Sequence, residues 1–357
     1  MIPADRPPAA EPGTGAGLPG LVSIVTIFRD PGPFLVEAIE SVLAQEHRSW
    51  ELLLVDDGSV DGSSELAREW ARREPARIRY LQHPGGVSRG KSTSRNLGIA
   101  AARGEYLALL DADDVFLPDK LRRQVQILRD HPRVAMVYGP TRYWYGWTGR
   151  TEDAERDFVA GLGVPPDAEY APPQLLTRFL RDPGVVPCTC GLLARTAVVR
   201  RLGAFDPTIE HLFEDQVLLA KVCLEEWVYV EGRCGDLYRQ HEASSSARAI
   251  ASGDYHPLRP NPAQETYLRW LTDYVRARGG GGLALARAVR AASLRYRRPA
   301  LARVLDTARR AWGTVEGKAA AVRRRRRRRA ASATDGGEAP GRTGAAPGPV
   351  PPPSPGG

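Results

Sequence analysis

The sequence predicts an α/β fold built on a mostly parallel sheet with helices on both faces. Three observations carry this expectation. Strands and helices alternate through the first third of the chain, the strands are short apolar runs, and two acidic clusters, Asp56-Asp57 and Asp111-Ala112-Asp113-Asp114, stand just past strand ends. Continuous apolar runs belong to strands covered on both faces, and regular alternation with helices points to parallel crossovers.

Residues 21–28 (LVSIVTIF) are rich in β-branched side chains and read as a buried strand, and 34–45 (FLVEAIESVLAQ) place apolar residues at helical spacing. The run 51–55 (ELLLV) is a second strand, ended by Asp56-Asp57-Gly58-Ser59. A helix over 63–73, a strand over 77–81 and a helix over 92–103 follow. Residues 106–110 (YLALL) form a strand that runs directly into Asp111, and 118–129 form a helix with Pro118 at its start. Ligands of such sheets bind beyond the carboxyl ends of the strands, so both acidic clusters are expected along one functional edge.

The middle of the chain is less regular. Residues 134–138 read as a strand, 143–147 (YWYGW) are dense in aromatics, and 151–173 read as a long loop. Residues 185–201 read as a strand followed by a helix. In 208–225, Glu214-Asp215 stand at the front of a helix, where the positive end of the helix dipole suits carboxylates. Two Ala- and Arg-rich helices are expected over 264–278 and 283–320, split by a flexible glycine run at 279–282.

The net charge of +8 does not describe the expected folded part. From Arg276 onward nineteen Lys/Arg stand against four Asp/Glu, a charge of +15 that leaves residues 1–275 at −7. An acidic core with a basic tail is the reverse of a nucleic-acid-binding module, so no specific nucleic-acid partner is expected. Only four of the fifty basic residues are Lys, which with heavy Ala, Gly and Pro usage marks a GC-rich coding sequence. The seven consecutive Arg at 323–329 therefore have three readings: a surface that docks on anionic membrane, a solvated codon-driven extension, or a non-specific nucleic-acid binder. Residues 1–20 and 330–357 are Pro-, Gly- and Ala-rich and are expected to be disordered.

Cys188, Cys190, Cys223 and Cys234 do not match zinc spacings and are expected to be free, mostly buried thiols. The start lacks a charged-then-apolar leader, and no apolar run approaches the ~20 residues that span a bilayer. The expected location is cytoplasmic, with peripheral contact at the inner face of the membrane left open to the Arg-rich tail.

Carboxylates two residues apart beyond a buried strand make a natural oxygen site for Mg²⁺ or Mn²⁺, which take one or two protein carboxylates and complete their shell with phosphate oxygens and water. The same four residues also suit a solvated turn that caps the next helix. Context decides between them. The segments VSIVTIFRD (22–30), AIESVLAQ (38–45), ELLLVDDGSVDGS (51–63), SRNLGIAAARGEYLALLDADD (94–114) and FEDQ (213–216) resemble, in order and spacing, the family 2 glycosyltransferases, which have the GT-A fold.

The resemblance covers about 21–245 and implies a glycosyltransferase domain there, with a nucleotide-sugar half at about 21–115 and an acceptor half at about 116–245. A helical, Arg-rich extension (246–329) and the C-terminal tail follow. It implies an inverting transfer from a nucleotide-diphosphate sugar to an acceptor hydroxyl. Asp57 would accept from the nucleotide base, Arg95 would face the nucleotide, and Ile27 and Phe28 would line its site. Asp111 and Asp113 match the D-x-D pair, toward ribose and metal, with Asp114 as a further candidate ligand. Glu214-Asp215 match the E-D motif, with Asp215 as general base, and His241 in YRQH resembles a late histidine metal ligand. The segment 188–191 resembles an acceptor-proximal glycine loop. Family habit favours a UDP- or dTDP-sugar donor, and the acceptor is a glycan, a lipid-linked molecule or a small molecule. One departure stands out: Arg29-Asp30 replace the family's common Tyr-Asn pair after the first strand.

Tyr143, Trp144, Tyr145 and Trp147 have two readings, core packing or stacking on an acceptor sugar. Two other classes compete with the transferase. A nucleotidyltransferase would carry a Gly-rich, basic phosphate loop after strand one, where this chain has Arg29-Asp30-Pro31-Gly32-Pro33. A non-catalytic protein that binds a sugar nucleotide or an anionic surface would have lost Asp113 or Asp215, and both are present.

Overall fold

The computed structural model describes residues 17–209, 212–255, 260–298 and 300. The chain divides into Met1–Arg297 and Arg298–Gly357, and the second unit lies almost wholly outside the described residues. The Arg run at 323–329 and the tail at 330–357 fall there as well.

The first half follows the expected alternation: β1 (Leu18–Phe28), α1 (Phe34–Leu43), β2 (Trp50–Asp56), α2 (Ser63–Arg73), β3 (Ile78–Gln82), α3 (Lys91–Ala101), β4 (Gly104–Leu109), β5 (Val115–Phe116) and α4 (Lys120–Asp130). The second half holds β6 (Val134–Tyr138), β7 (Arg142–Trp144), α5 (Thr151–Ala154), β8 (Phe158–Val159), β9 (Ala168–Tyr170), α6 (Gln174–Arg181), β10 (Leu192–Arg195), α7 (Thr196–Arg201) and α8 (Glu214–Glu225). It ends with β11 (Trp227–Val230), β12 (Asp236–Arg239), α9 (Ser245–Ser252), α10 (Pro262–Ala277) and α11 (Gly282–Arg297).

Among the described residues the strands form two sheets, ordered β3-β2-β1-β4-β10-β6-β11-β9 and β5-β12-β7-β8. The β3-β2-β1-β4 half is parallel throughout. Beyond it β10 runs antiparallel to both β4 and β6, so the sheet as a whole is mixed. Side chains of β1, β2 and β4 alternate between two cores. Val22, Ile24, Leu52, Leu54, Tyr106 and Ala108 pack on one side, and Val25, Ile27, Leu53, Val55, Leu107 and Leu109 on the other. The period of two along a strand makes this division, and each fully buried Leu, Ile or Val contributes about 1.5–3 kcal/mol.

On the first face α1 buries Leu35, Ala38, Ile39 and Val42, one helical stripe, and α4 adds Leu121, Val125 and Leu128. On the second face α8 is buried on nearly all sides, between the sheet and later helices. α10 and α11 do not stand apart as an extension: they place Tyr267, Leu268, Leu271, Val275, Leu285 and Val289 in the same core.

Two further expectations change. β1 begins at Leu18, inside the stretch expected to be disordered, because Leu18 N–H donates to Arg103 O and Gly20 N–H to the Glu105 carboxylate, bonds that need no apolar side chain. Within 151–173, read as a loop, lie α5, β8 and β9. β9 is a three-residue strand paired to β11 some sixty positions away, too short to leave a periodic signal.

Gly98 governs the approach of α3 to the sheet. A Cβ there would lie 2.5 Å from Val25 Cγ1, so only glycine lets the helix settle on β1 and β2. That close seat brings the residues just before Gly98 to the carboxyl edge.

Candidate active site

Because β1, β2 and β4 are parallel, their carboxyl ends present Phe28, Asp56-Asp57 and the start of the Asp111–Asp114 turn along one edge. The segment 94–98 joins that edge to the second half. Asn96 holds the backbone of Phe205 from both sides, Nδ2 donating to its carbonyl (2.9 Å) and Oδ1 accepting from its N–H (3.0 Å). Arg95, 3% exposed, donates through Nη2 to Asp111 Oδ1 (2.8 Å) and through Nη1 to Glu214 Oε1 (3.0 Å). Its guanidinium therefore ties the turn after β4 to the first residue of α8.

Burial works against the charge of Arg95, yet Asp111 and Glu214 more than offset it and raise its pKa further. Burial likewise opposes the charge of Asp111, but Arg95 and Lys91 hold its carboxyl below the ordinary range. Lys91 Nζ also lies 3.7 Å from Glu214 Oε1. Beside this network stands Asp215, whose Oδ1 accepts from Gln216 N–H (2.8 Å). Burial and then the Glu214 charge push its carboxyl up to about 6, with Arg95 pulling the other way. A carboxylate poised there is ionised at neutral pH and still basic enough to take a proton. Phe213, the residue before Glu214, has φ of 67°, a left-handed turn that sets the entry of α8.

The Asp111–Asp114 carboxylates separate. Asp111 turns to Arg95. Asp113, with its side chain 28% exposed, lies with Oδ2 3.0 Å from His241 Nε2. Asp114 is 1% exposed and its Oδ1 accepts from Arg239 N–H (3.0 Å). Burial, Asp113 and Asp111 push the Asp114 carboxyl well above its ordinary range. Of the four candidate ligands the structure brings together Asp113 and His241, and turns Asp111 and Asp114 to other partners. Among the described residues no group of three or more His, Cys, Asp or Glu forms a metal cluster. The pair is hydrogen-bonded at that distance, and the same spacing is compatible with a divalent cation: two cis ligands of an octahedral ion with bonds of about 2.1 Å stand about 3 Å apart, and one carboxylate with one imidazole suits Mn²⁺ better than the harder Mg²⁺.

Asp57 is buried, and both carboxylate oxygens are engaged by the 88–90 loop, with Ser94 of α3 adding a bond. Oδ1 accepts from Arg89 N–H (2.7 Å), Gly90 N–H (3.2 Å) and Ser94 Oγ (2.9 Å), and Oδ2 from Ser88 Oγ (2.8 Å) and Gly90 N–H (3.2 Å). Asp56 is likewise taken up, by Ser59 N–H, Ser64 and Tyr80. The side chains of Ile27 and Phe28 are in the two cores, so only their backbone faces the edge. The Phe28 carbonyl accepts from Asp57 N–H (2.9 Å).

The aromatics of 143–147 are half-buried and have packing partners. Tyr143 stacks on Phe158, and Trp144 and Trp147 lie against the Arg239 guanidinium. In the 188–191 segment, Cys190 Sγ lies 3.4 Å from Asp236 Oδ1, and burial, Asp236 and Asp114 push its thiol up. All four cysteines are free. Arg239, Glu37 and Lys91 contact the candidate site residues or one another and were not singled out by the sequence, because no local pattern marks them.

Residues 23–202 match the profile of Glycosyl transferase family 2. An uncharacterised glycosyltransferase of Nostoc is 26% identical over 285 residues, which cover 78% of this chain and 81% of the relative. One of Rickettsia felis is 43% identical over 110 residues, 31% of this chain but only 17% of that longer protein. Among solved structures, residues 1–349 of S. aureus TarS in complex with UDP-GlcNAc superpose with a TM-score of 0.52 at 18% identity, covering 75% of this chain and 69% of that one.

Proposed function

Since this chain belongs to glycosyl transferase family 2 and is a glycosyltransferase of GT-A fold, we propose that it transfers a sugar, with inversion at the anomeric carbon, from a nucleotide-diphosphate sugar to an acceptor hydroxyl. The observation that carries this reading is the buried Arg95 bridge. It sets Asp111 and Glu214, 103 positions apart in the chain, at one edge, and Asp215 is the residue next to Glu214 at the front of α8.

In this reading the Asp215 carboxylate takes the proton of the acceptor hydroxyl as that oxygen bonds to the anomeric carbon. The bond to the diphosphate breaks on the opposite face, and its electron pair leaves with the diphosphate oxygen. Glu214 does not react. It is neutralised by Arg95 and Lys91, and it raises the basicity of Asp215. Asp113 and His241 would hold Mg²⁺ or Mn²⁺, which when bound neutralises charge on the leaving diphosphate. Asp111, held by Arg95, would be the carboxylate toward the ribose. Asp57 shapes the 88–90 loop against which a base would lie. A UDP- or dTDP-sugar is the donor to screen first. The acceptor belongs to the glycan, lipid-linked or small-molecule classes.

Among the described residues no helix is long and apolar enough to cross a membrane. A cytoplasmic enzyme, peripheral at the inner face of the membrane through its Arg-rich tail, is the location we propose. Comparing liposome co-sedimentation of a chain ending at Arg298, which keeps α11, with that of the full chain tests it, and equal binding would exclude the tail. The function itself is tested by thermal shift and donor hydrolysis across nucleotide sugars with Mn²⁺. Asp215→Asn should keep donor binding and lose turnover, and Asp113→Ala should lose metal-dependent donor binding. Full turnover in either variant refutes the assignment.

A further inference from the structure

We infer that Arg239 is the positioning residue that sets the separation of Asp113 and His241, and so the affinity of that pair for a divalent cation; this rests on the cation reading proposed above. Arg239 is 1% exposed, a costly place for a guanidinium unless each of its groups is engaged. Its Nε donates to the carbonyl oxygen of Asp113 itself (2.8 Å), Nη2 donates to Glu37 Oε2 (2.8 Å), and its backbone N–H donates to Asp114 Oδ1 (3.0 Å). One residue thus grips the acidic turn at two consecutive positions.

The flat guanidinium is held in turn by three rings, Phe34, Trp144 and Trp147, at 4.6, 4.5 and 5.3 Å from their centroids. Two of those rings also hold His241: Phe34 lies edge-on to the imidazole at 4.8 Å and Trp147 at 6.4 Å. Trp147 Nε1 donates to Gln240 O (2.8 Å), fixing the backbone between the arginine and the histidine. The backbone of Asp113 and the imidazole of His241 are therefore referred to one aromatic frame, with Arg239 at its centre. A salt bridge to Glu37 alone would have satisfied the charge. The bond to the Asp113 carbonyl is what couples it to the ligand.

Groups that orient metal ligands from behind typically change metal affinity 10–100-fold when altered. The test is Mn²⁺ titration of the full chain in the presence of UDP, with free Mn²⁺ read by electron paramagnetic resonance. Thermal unfolding and metal-free UDP binding are the controls. Arg239→Lys keeps the charge but loses the planar fork and the stacking. Its Mn²⁺ dissociation constant should rise at least tenfold while metal-free UDP binding is unchanged. Glu37→Gln, at a side chain 47% exposed, should give a smaller rise.

Unchanged Mn²⁺ affinity in Arg239→Lys, with affinity lost in Asp113→Ala, overturns the role of Arg239 and leaves the cation reading standing. Wild-type protein that takes no Mn²⁺ overturns both. If Arg239→Lys does not fold, Glu37→Gln and Trp147→Phe decide, and unchanged affinity in both overturns the inference.

Discussion

Arg95 Nη1 lies 3.0 Å from Glu214 Oε1, a buried contact between residues 119 positions apart that fastens the front of α8 to the edge of the parallel half-sheet. A buried ion pair is weak evidence of net stability, but breaking one side of it strands the other charge. Arg95→Met should therefore destabilise the fold by about 3–5 kcal/mol in denaturant titration. Loss below about 1 kcal/mol would mean that Glu214 finds another partner, Lys91 being nearest.

Asp215 gives a pH signature of its own. Its folded pKa, about 6, lies above the ordinary carboxylate value of 3.8, so the folded state favours the protonated form. Below about pH 4 both folded and unfolded chains hold that proton and the cost of burying the charge is absent. The cost grows as pH rises and is complete above about 6, at roughly 1–3 kcal/mol. Asp215→Asn should match the wild type in stability near pH 4 and exceed it near pH 8. In the wild type, kcat/KM should climb through about pH 6. A variant no more stable at pH 8 than the wild type would place the raised pKa elsewhere.

Asp113 and Asp114 are neighbours with opposite surroundings. Asp114→Asn keeps the oxygen that accepts from Arg239 N–H, so Mn²⁺ affinity should stay within about twofold, whereas Asp113→Ala should lose at least tenfold. Isothermal titration separates the two, and a reversed order would make Asp114 the ligand.

The Asp57 carboxylate closes the 88–90 loop with charge-assisted bonds to two N–H groups and two hydroxyls. Asp57→Ala should cost about 2–3 kcal/mol and speed amide exchange at Arg89 and Gly90 more than in β2 itself. Unchanged exchange at those amides would show that the loop holds itself.

The parallel half, both acidic clusters on one edge and the placement of Glu214-Asp215 at a helix start were all legible in the sequence, because each rests on local periodicity or on a strand end. The strand pattern could not show that the sheet turns mixed at β10. Its direction depends on what it pairs with, and Leu193 pairs with Ala108 and Val137 on either side. The aromatics of 143–147 were equally ambiguous, since composition does not say which neighbour a ring meets. Trp144 and Trp147 meet Arg239.

By itself the sequence determined which residue types stand at the carboxyl edge. Only the tertiary structure decided how they are partitioned: Asp113 to His241, Asp111 to Arg95, Asp114 to the backbone of Arg239, and Asp57 to its own loop. The physical reason is range. Hydrophobic period and turn chemistry act over a few residues, whereas the partners of Asp113 and Asp114 lie more than 120 positions away and meet them only when β12 pairs beside β5.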